Sequence, residues 1–419
     1  MPDSVSTALI TNDAVVLGVL LAVLALVFRT SRSEQPWLQR FYTYVPALLL
    51  CYFIPGVLNS IGLIDGEVSG LYPMARDYLL PTALVLLTLS VDLRGIVRLG
   101  PKAGILFLAG TAGVVIGGPI ALWIGGMIDP TLLGDSGPES VWRGMSTQAG
   151  SWIGGGANQA AMKEVFEAGP TVFGKFIAVD VIVANIWMAV LLFMAGRSAS
   201  IDARTGADTS AIDDLKRRIE EFQKENARVT TLPDLMMILA IGFGATAIAH
   251  AGAGVISSFL AANAPYLEAY SLTSNFFWIV VIATTLGVVL SFTRARSYEG
   301  AGASTIGSAC LYVLVATIGM HMDITSVFSD PLLFLVGLIW ISIHAAIMLG
   351  VAKAIRAPVF FMAVGSQANI GGAASAPVVA SAFHPALAPV GVLLAVFGYA
   401  LGTYAGYLCG LLLRWVAVM

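Results

Sequence analysis

Apolar residues run along this chain in long, nearly unbroken stretches, without the strict alternation of a half-buried strand. They fall near 14–28, 42–63, 74–91, 103–127, 145–166, 172–195, 234–263, 275–292, 301–321, 331–350, 358–383 and 386–415. Most hold about 18 to 25 residues, enough to cross a hydrocarbon core of roughly 30 Å as a helix. Continuous runs of this kind exclude a β-barrel, whose strands alternate. The stretches at 145–166 and 358–383 stand apart. Gly154-Gly155-Gly156 interrupts the first and Gly371-Gly372 the second. Glycine loosens a helix, and irregular backbone at membrane depth is tolerated only where protein or a wet cavity covers it.

The two interrupted stretches match each other. Ile153-Gly154-Gly155-Gly156-Ala157-Asn158 returns as Ile370-Gly371-Gly372-Ala373-Ala374-Ser375 about half a chain later, and Met145 and Met362 keep the same offset. A weaker match joins the Leu89–Pro101 and Gly319–Pro331 regions in the same order, which favours an internal duplication.

Charge orients the halves. Most of the 22 basic residues lie in loops 29–40, 92–102, 196–233, 294–300 and 351–357, whereas 64–77, 128–142 and 322–330 are mainly acidic. By the positive-inside rule the first group is cytoplasmic and the second external. The matching loops 92–102 and 322–330 carry opposite labels, so the halves are inverted. Inversion requires an odd number of crossings in each half, although each half holds six stretches. The parity is met if 145–166 is re-entrant from outside and 358–383 from inside, leaving ten full spans and both termini external. A competing arrangement lets the broken helices cross and demotes one other stretch. The expected architecture is therefore an all-α polytopic membrane protein of two inverted repeats, each of about five transmembrane helices plus a glycine-broken helix, re-entrant or unwound. Residues 1–195 form the first repeat and 234–419 the second. The 196–233 linker carries an amphipathic helix over 209–228, with Ser210 and Asp213 as a capping pair and Ile212, Leu215, Ile219 and Phe222 on one face.

Composition agrees with lipid as the main solvent: 58% of residues are apolar and 11% charged, and mean hydropathy is +0.85. A net charge of −3 excludes nucleic-acid binding driven by bulk positive charge. Cys51, Cys310 and Cys409 sit in apolar runs without a CxxC spacing and read as small buried hydrophobes. Met1 to Asp13 carries acids and no Lys or Arg, unlike a cleavable signal peptide.

Candidate chemistry gathers at the two breaks. Half-helix N-termini meeting near mid-bilayer present free N–H groups and a positive dipole end to an anionic solute group. Asn158 and Gln159 add side-chain donors and acceptors at the first break, and Ser366, Gln367, Asn369 and Ser375 do so at the second; the alternative is close helix packing through the small residues, with the amides bonding the opposing backbone. Asp180 lies inside the apolar run 176–192 with Asn185 further along the same helix. An ionisable residue within a span points to function, as a Na⁺ ligand or proton carrier. Its alternative is a structural pairing with Lys175. His250, His321, His344 and His384 lack metal-ligand spacing and read as structural. No HExxH, phosphate-binding GKS/T loop or paired carboxylates at helical spacing occurs within a span, so an enzyme is not expected.

The motifs Gly150-Ser151-Trp152-Ile153-Gly154-Gly155-Gly156-Ala157-Asn158-Gln159-Ala160-Ala161 and Gly365-Ser366-Gln367-Ala368-Asn369-Ile370-Gly371-Gly372-Ala373-Ala374-Ser375-Ala376-Pro377 resemble those of the DUF819 (YjcL-like) family, over essentially the whole chain. That family is similar to bacterial sodium/glutamate symporters and, more distantly, to citrate and bile-acid sodium symporters. The resemblance implies a mobile core carrying both broken segments, a scaffold that forms a homodimer, elevator-type motion, and Na⁺ or H⁺ coupling. It implies a substrate role for Gly154 to Asn158 and Gly371 to Ser375, and with the polar residues beside the breaks the candidate substrate-binding set is Ser151, Gly154, Gly155, Gly156, Ala157, Asn158, Gln159, Ser366, Gln367, Asn369, Gly371, Gly372 and Ser375. The amide and serine pattern differs from that of the glutamate carriers, so glutamate does not carry over. The expected function is ion-coupled symport of a small carboxylate-bearing solute (amino acid, short peptide or organic acid) across a bacterial inner membrane. Asp180 and Asn185 serve the coupling ion, and no other cofactor and no nucleic acid is involved. The rival readings are an ion exchanger or channel without organic substrate, and a non-transporting receptor or scaffold.

Overall fold

The computed structural model describes residues 8–45, 47–66, 68–91, 99–207, 230–270, 272–321, 330–384 and 387–419. The expected amphipathic helix at 209–228, and Asp92 and Asp323, which the sequence places near span ends as caps or interface residues, lie outside them. The chain is helical almost throughout: α1 (Asp13–Ser31), α2 (Pro36–Tyr44), α3 (Ala47–Ser60), α4 (Leu71–Met74) continued by a π turn (Ala75–Leu79) into α5 (Leu80–Leu89), α6 (Pro101–Ile128), α7 (Val141–Val165), α8 (Pro170–Ala195), α9 (Ser198–Thr205), α10 (Leu232–Asn263), α11 (Asn275–Ser291), α12 (Ala303–Gly319), α13 (Pro331–Ala354), α14 (Val359–Ile370), α15 (Gly372–Phe383) and α16 (Ala388–Ala417).

The starts of these helices follow local chemistry. Proline occupies the first turn of α6, α8, α10, α13 and α16, where its missing N–H costs nothing. Thr231 and Asp234 form a reciprocal capping box on α10, and Ser274 caps α11. The apolar stretch 42–63 is split because Val45, the residue before Pro46, is extended, as steric clash with a following proline ring demands.

Among the described residues, α1, α6, α8, α10, α13 and α16 are long and apolar enough to cross a membrane. A seventh candidate is α11 with the 3₁₀ turn Arg294–Ala301, bent by 94°. This is a membrane protein with several spanning helices.

The helices sort into two packed groups. In one, α6 to α8 and α13 to α16 pack on each other; in the other, α5 is surrounded by α10, α11 and α12, and α12 also meets α1 and α3. Glycine stripes bring backbones together in the first group, where lipid-like side chains alone give helices little reason to associate. Gly398, Gly402 and Gly406 of α16 lie against α7. A Cβ on Gly398 would come within 2.7 Å of the Ile153 carbonyl oxygen, and one on Gly402 within 2.5 Å of the Gly154 Cα. Gly113, Gly117 and Gly118 of α6 likewise receive His344 and Trp340 of α13. The first pairing holds the interrupted α7, and the second joins α13 to α6, which itself packs on α14.

Candidate functional site

Both interruptions are real departures from helical geometry. Within α7, Gly155 has φ +70° and ψ −173°, a conformation open to glycine and costly for residues with a Cβ. The two legs fold back on each other: a Cβ on Gly150 would lie 2.5 Å from the Asn158 carbonyl oxygen. The ends of α7 lie side by side, since Gly169 N–H donates to the Pro138 carbonyl at 2.8 Å. Arg143 from the first leg donates to the carbonyls of Phe166 and Ser136, and Glu139 accepts from Val172 N–H at 2.6 Å. The second interruption separates α14 from α15 at Gly371-Gly372, with Gly372 at φ +58°. Phe360 and Phe383, at the far ends of this pair, stack edge-on at 5.3 Å, so these two ends are also adjacent.

The breaks meet. A Cβ on Gly372 would sit 3.6 Å from the Gly155 Cα. One side of the crossing is open, because Gly155, Gly156, Gly371 and Ser375 are each partly exposed. A Cβ on Gly156 would meet only Leu311 of α12, at 3.9 Å. Backbone of the first break therefore faces α12 at Gly156.

Two asparagines fix the crossing by the same pattern of bonds. Asn158 Nδ2 donates to the Gly154 and Tyr399 carbonyls, each at 3.0 Å, and its Oδ1 accepts from Thr403 at 2.6 Å. Asn369 Nδ2 donates to the Gly365 and Phe107 carbonyls, each at 3.0 Å, and its Oδ1 accepts from Thr111 at 2.8 Å. Each amide thus ties the carbonyl one turn back in its own helix to a carbonyl and a threonine one turn apart on a neighbour, α16 or α6. Both side chains are fully buried and their capacity is spent on protein. Gly154, its neighbours and Ala157 contribute backbone only.

Asp180 lies against Ser151 and Gln159. Its carboxylate accepts from Ser151 Oγ at 2.6 Å, Trp152 Nε1 at 2.7 Å and Gln159 Nε2 at 3.5 Å. These donors come from both legs of α7, so one acid on α8 spans the break. Gln148, oriented to satisfy both ends of its amide, accepts from the same indole and donates to the Phe176 carbonyl. All of Asp180's partners are neutral. Lys175, the alternative ion-pair partner, binds Asp330 at 2.5 Å instead. Among the described residues no Lys or Arg pairs with Asp180, which leaves a buried carboxylate without a counter-charge. Asn185 stands apart from it, donating to the Val181 carbonyl of its own helix at 2.7 Å.

At the second break Gln367 Nε2 donates to Ser375 Oγ at 2.7 Å, bridging Gly371-Gly372. Gln367 is buried, and its Oε1 has no partner among the described residues, an expensive state for an amide oxygen away from water. Ser366 points elsewhere: it accepts from Trp187 Nε1 and donates to His344 Nε2, both at 2.8 Å, while His344 Nδ1 donates to the Gly110 carbonyl at 3.0 Å. That chain links α8, α14, α13 and α6 and is closed at both ends, in keeping with a structural histidine. Among the described residues no three His, Cys, Asp or Glu side chains cluster as metal ligands.

Sequence reasoning missed Thr111, Thr403, Trp152 and Trp187, all partners from other helices. Lys163 and Glu164, two charges closing an apolar stretch, were visible in the sequence but went unused.

Comparison with known proteins agrees with the motif resemblance. Residues 18–416 match the family described as "protein of unknown function (DUF819)". YjcL of Bacillus subtilis (strain 168), an uncharacterised membrane protein, is 24% identical over 369 residues, covering 84% of this chain and 86% of that one. With the match running almost from end to end, the chain belongs to the DUF819 family.

Proposed function

We propose that this protein is a secondary active transporter that moves a small carboxylate-bearing solute in symport with Na⁺ or H⁺. The observation that carries the reading is the meeting of two glycine breaks, Gly155 against Gly372, with partly exposed backbone on the side facing α12. Paired half-helices presenting backbone at a midplane site are a recurring transporter design. The adjacent ends of α7, and of α14 with α15, support two re-entrant hairpins opening to opposite faces. α1, α3, α4–α5, α6, α8 and α10 to α13 with α16 then make ten crossings in two inverted repeats. The group holding both hairpins is the moving core of an elevator, and the group around α5 is the scaffold through which a homodimer forms. In this frame the solute meets backbone at the breaks, Gln367 Oε1 and Ser375, with Asn158 and Asn369 as positioning residues. Asp180 takes the coupling cation or proton, which supplies the charge its neutral partners lack.

The test is uptake into proteoliposomes of radiolabelled amino acids, short peptides and organic acids, with a Na⁺ or proton gradient imposed in either direction. Accumulation of a carboxylate solute that follows one gradient supports the proposal. Ion flux with no organic solute, or no flux of any kind under both gradients, overturns it.

A further inference from the structure

The seam between the two helix groups carries a second polar site, built from different residues. α4 and the π turn bring Tyr72, Arg76 and Asp77 against Lys163 and Glu164 at the end of α7. The Lys163 ammonium is buried; it donates to Tyr72 Oη at 2.6 Å and to Glu164 Oε1 at 2.8 Å. It also lies 4.8 Å from the centre of the Tyr72 ring and 5.8 Å from that of Phe173. The Tyr72 hydroxyl donates to Glu164, and Arg76 approaches Glu164 at 3.8 Å while holding Asp77 at 2.8 Å. Beside this cluster lies a cavity of about 190 Å³, lined by Tyr72, Lys163, Pro170, Ile318 and His321.

We propose that this cavity binds a small carboxylate anchored on Lys163. An ammonium has three protons, and two are committed to Tyr72 and Glu164, leaving one for a ligand. Among the described residues the wall holds a cation and no acid. Glu164 stands behind Lys163, shared among Lys163, Tyr72 and Arg76, so its own charge is met from two sides. His321 supplies the second contact: its Nδ1 donates to the Thr317 carbonyl at 3.1 Å, so Nε2 is a bare acceptor in the neutral ring and a donor once protonated.

Size and donor count set the ligand class. Water occupies about 30 Å³ in the liquid, so the space suits an acid of about two to four carbons. One ammonium proton and, on an imidazolium ring, one Nε2–H would satisfy two oxygens. A phosphate, free or on a lipid headgroup, would press further oxygens against Pro170 and Ile318, where they find no donor. The claim concerns binding alone and stands whether or not the protein moves a solute.

The experiment is thermal unfolding of the purified full chain in detergent micelles with acetate, propionate or succinate, against chloride and inorganic phosphate at equal ionic strength. The carboxylates are expected to raise the midpoint by about 3 °C or more at saturation, with phosphate no better than chloride. Lys163→Met should abolish the shift, as should Ile318→Phe, which fills the cavity and keeps every charge. Ser342→Ala, on the exposed face of α13 and outside both sites, should leave it intact. Absence of any shift in the wild-type chain, an equal shift with phosphate, or a shift surviving Ile318→Phe overturns the proposal.

Discussion

Asn158 and Asn369 look like ligand-binding amides in the sequence and act as rivets in the structure, a difference that can be measured. Each makes three buried hydrogen bonds, at 3.0, 3.0 and 2.6 Å for Asn158 and at 3.0, 3.0 and 2.8 Å for Asn369. Side-chain hydrogen bonds inside membrane proteins are worth about 0.6 kcal/mol on average and up to about 1.7 kcal/mol. Truncation to alanine should therefore cost about 2–5 kcal/mol at either position. The lower half of that range applies because the carbonyls of Tyr399 and Phe107 lose only a second donor, and Thr111 and Thr403 keep hydroxyl partners in the Phe107 carbonyl and Thr284. Asn185→Ala is the internal control. That amide is half-buried and bonds only to its own helix, at Val181, so its loss should cost about 0.5 kcal/mol or less.

The assay is reversible unfolding in mixed micelles by stepwise addition of a denaturing detergent, followed through tryptophan fluorescence; Trp152 and Trp187 lie within the affected region. Asn158→Ala and Asn369→Ala should shift the transition alike and far more than Asn185→Ala. If either proves indistinguishable from the Asn185 variant, the amides are not holding the crossing, and a ligand-facing role becomes the better account.

Three further outcomes follow from the same geometry. Asp180→Asn should leave a folded protein whose solute uptake no longer follows the ion gradient, a drop of about tenfold or more in gradient-driven accumulation, because the uncompensated carboxylate is the group that would engage the cation; unchanged coupling in proteoliposomes would remove Asp180 from the mechanism. Gly402→Ala should destabilise by about 3 kcal/mol or more, since the new Cβ falls 2.5 Å from the Gly154 Cα, whereas Gly244→Ala, with nothing within 4 Å, should stabilise α10 by up to about 1 kcal/mol; the opposite signs are read in one set of unfolding curves. Asp202 on α9 accepts the Val359 N–H at 2.9 Å at the start of α14, yet burial holds its carboxyl above the ordinary value of 3.8 despite that bond. The folded state then keeps a proton that the unfolded state has lost, so this residue's contribution to stability falls as pH rises from 3.8 through the raised value, and Asp202→Asn should flatten that limb of the pH–stability profile.

The parts of this molecule legible in sequence are those governed by local chemistry. Apolar runs mark helices because lipid rewards length and apolarity, whatever the partner. Gly155 and Gly372 mark the breaks because only glycine enters their positive-φ conformations freely. Asp180 stands out because an acid in an apolar run is costly wherever the run packs. Partnership is what the sequence concealed. Tyr399, Thr403, Phe107 and Thr111 lie far along the chain from the asparagines they bind, and nothing in their own neighbourhoods announces the pairing. The same holds for Lys163 and Tyr72, joined from separate helices at 2.6 Å. Element bounds were legible only in part: the apolar stretch 42–63 is interrupted at Val45, the residue before Pro46, and α3 keeps 14 residues.

Under the transport reading, rigid and responsive parts of the crossing are assigned to different atoms. The asparagines tie each break to a helix of the other repeat, so the crossing moves as one body. Asp180 instead ties the two legs of a single hairpin, through Ser151 and Trp152 on one side of Gly155 and Gln159 on the other. Gln159 is the longest of those bonds at 3.5 Å, weak by the standard of a charge-assisted contact. A cation or proton arriving at Asp180 alters the demand that carboxylate makes on its donors, and the loosest donor yields first. Because Gln159 lies one turn past Gly155, its release or capture changes the geometry of the backbone that faces the solute. Coupling then requires no distant relay: ion and solute act on the two ends of the same short segment, 155–159.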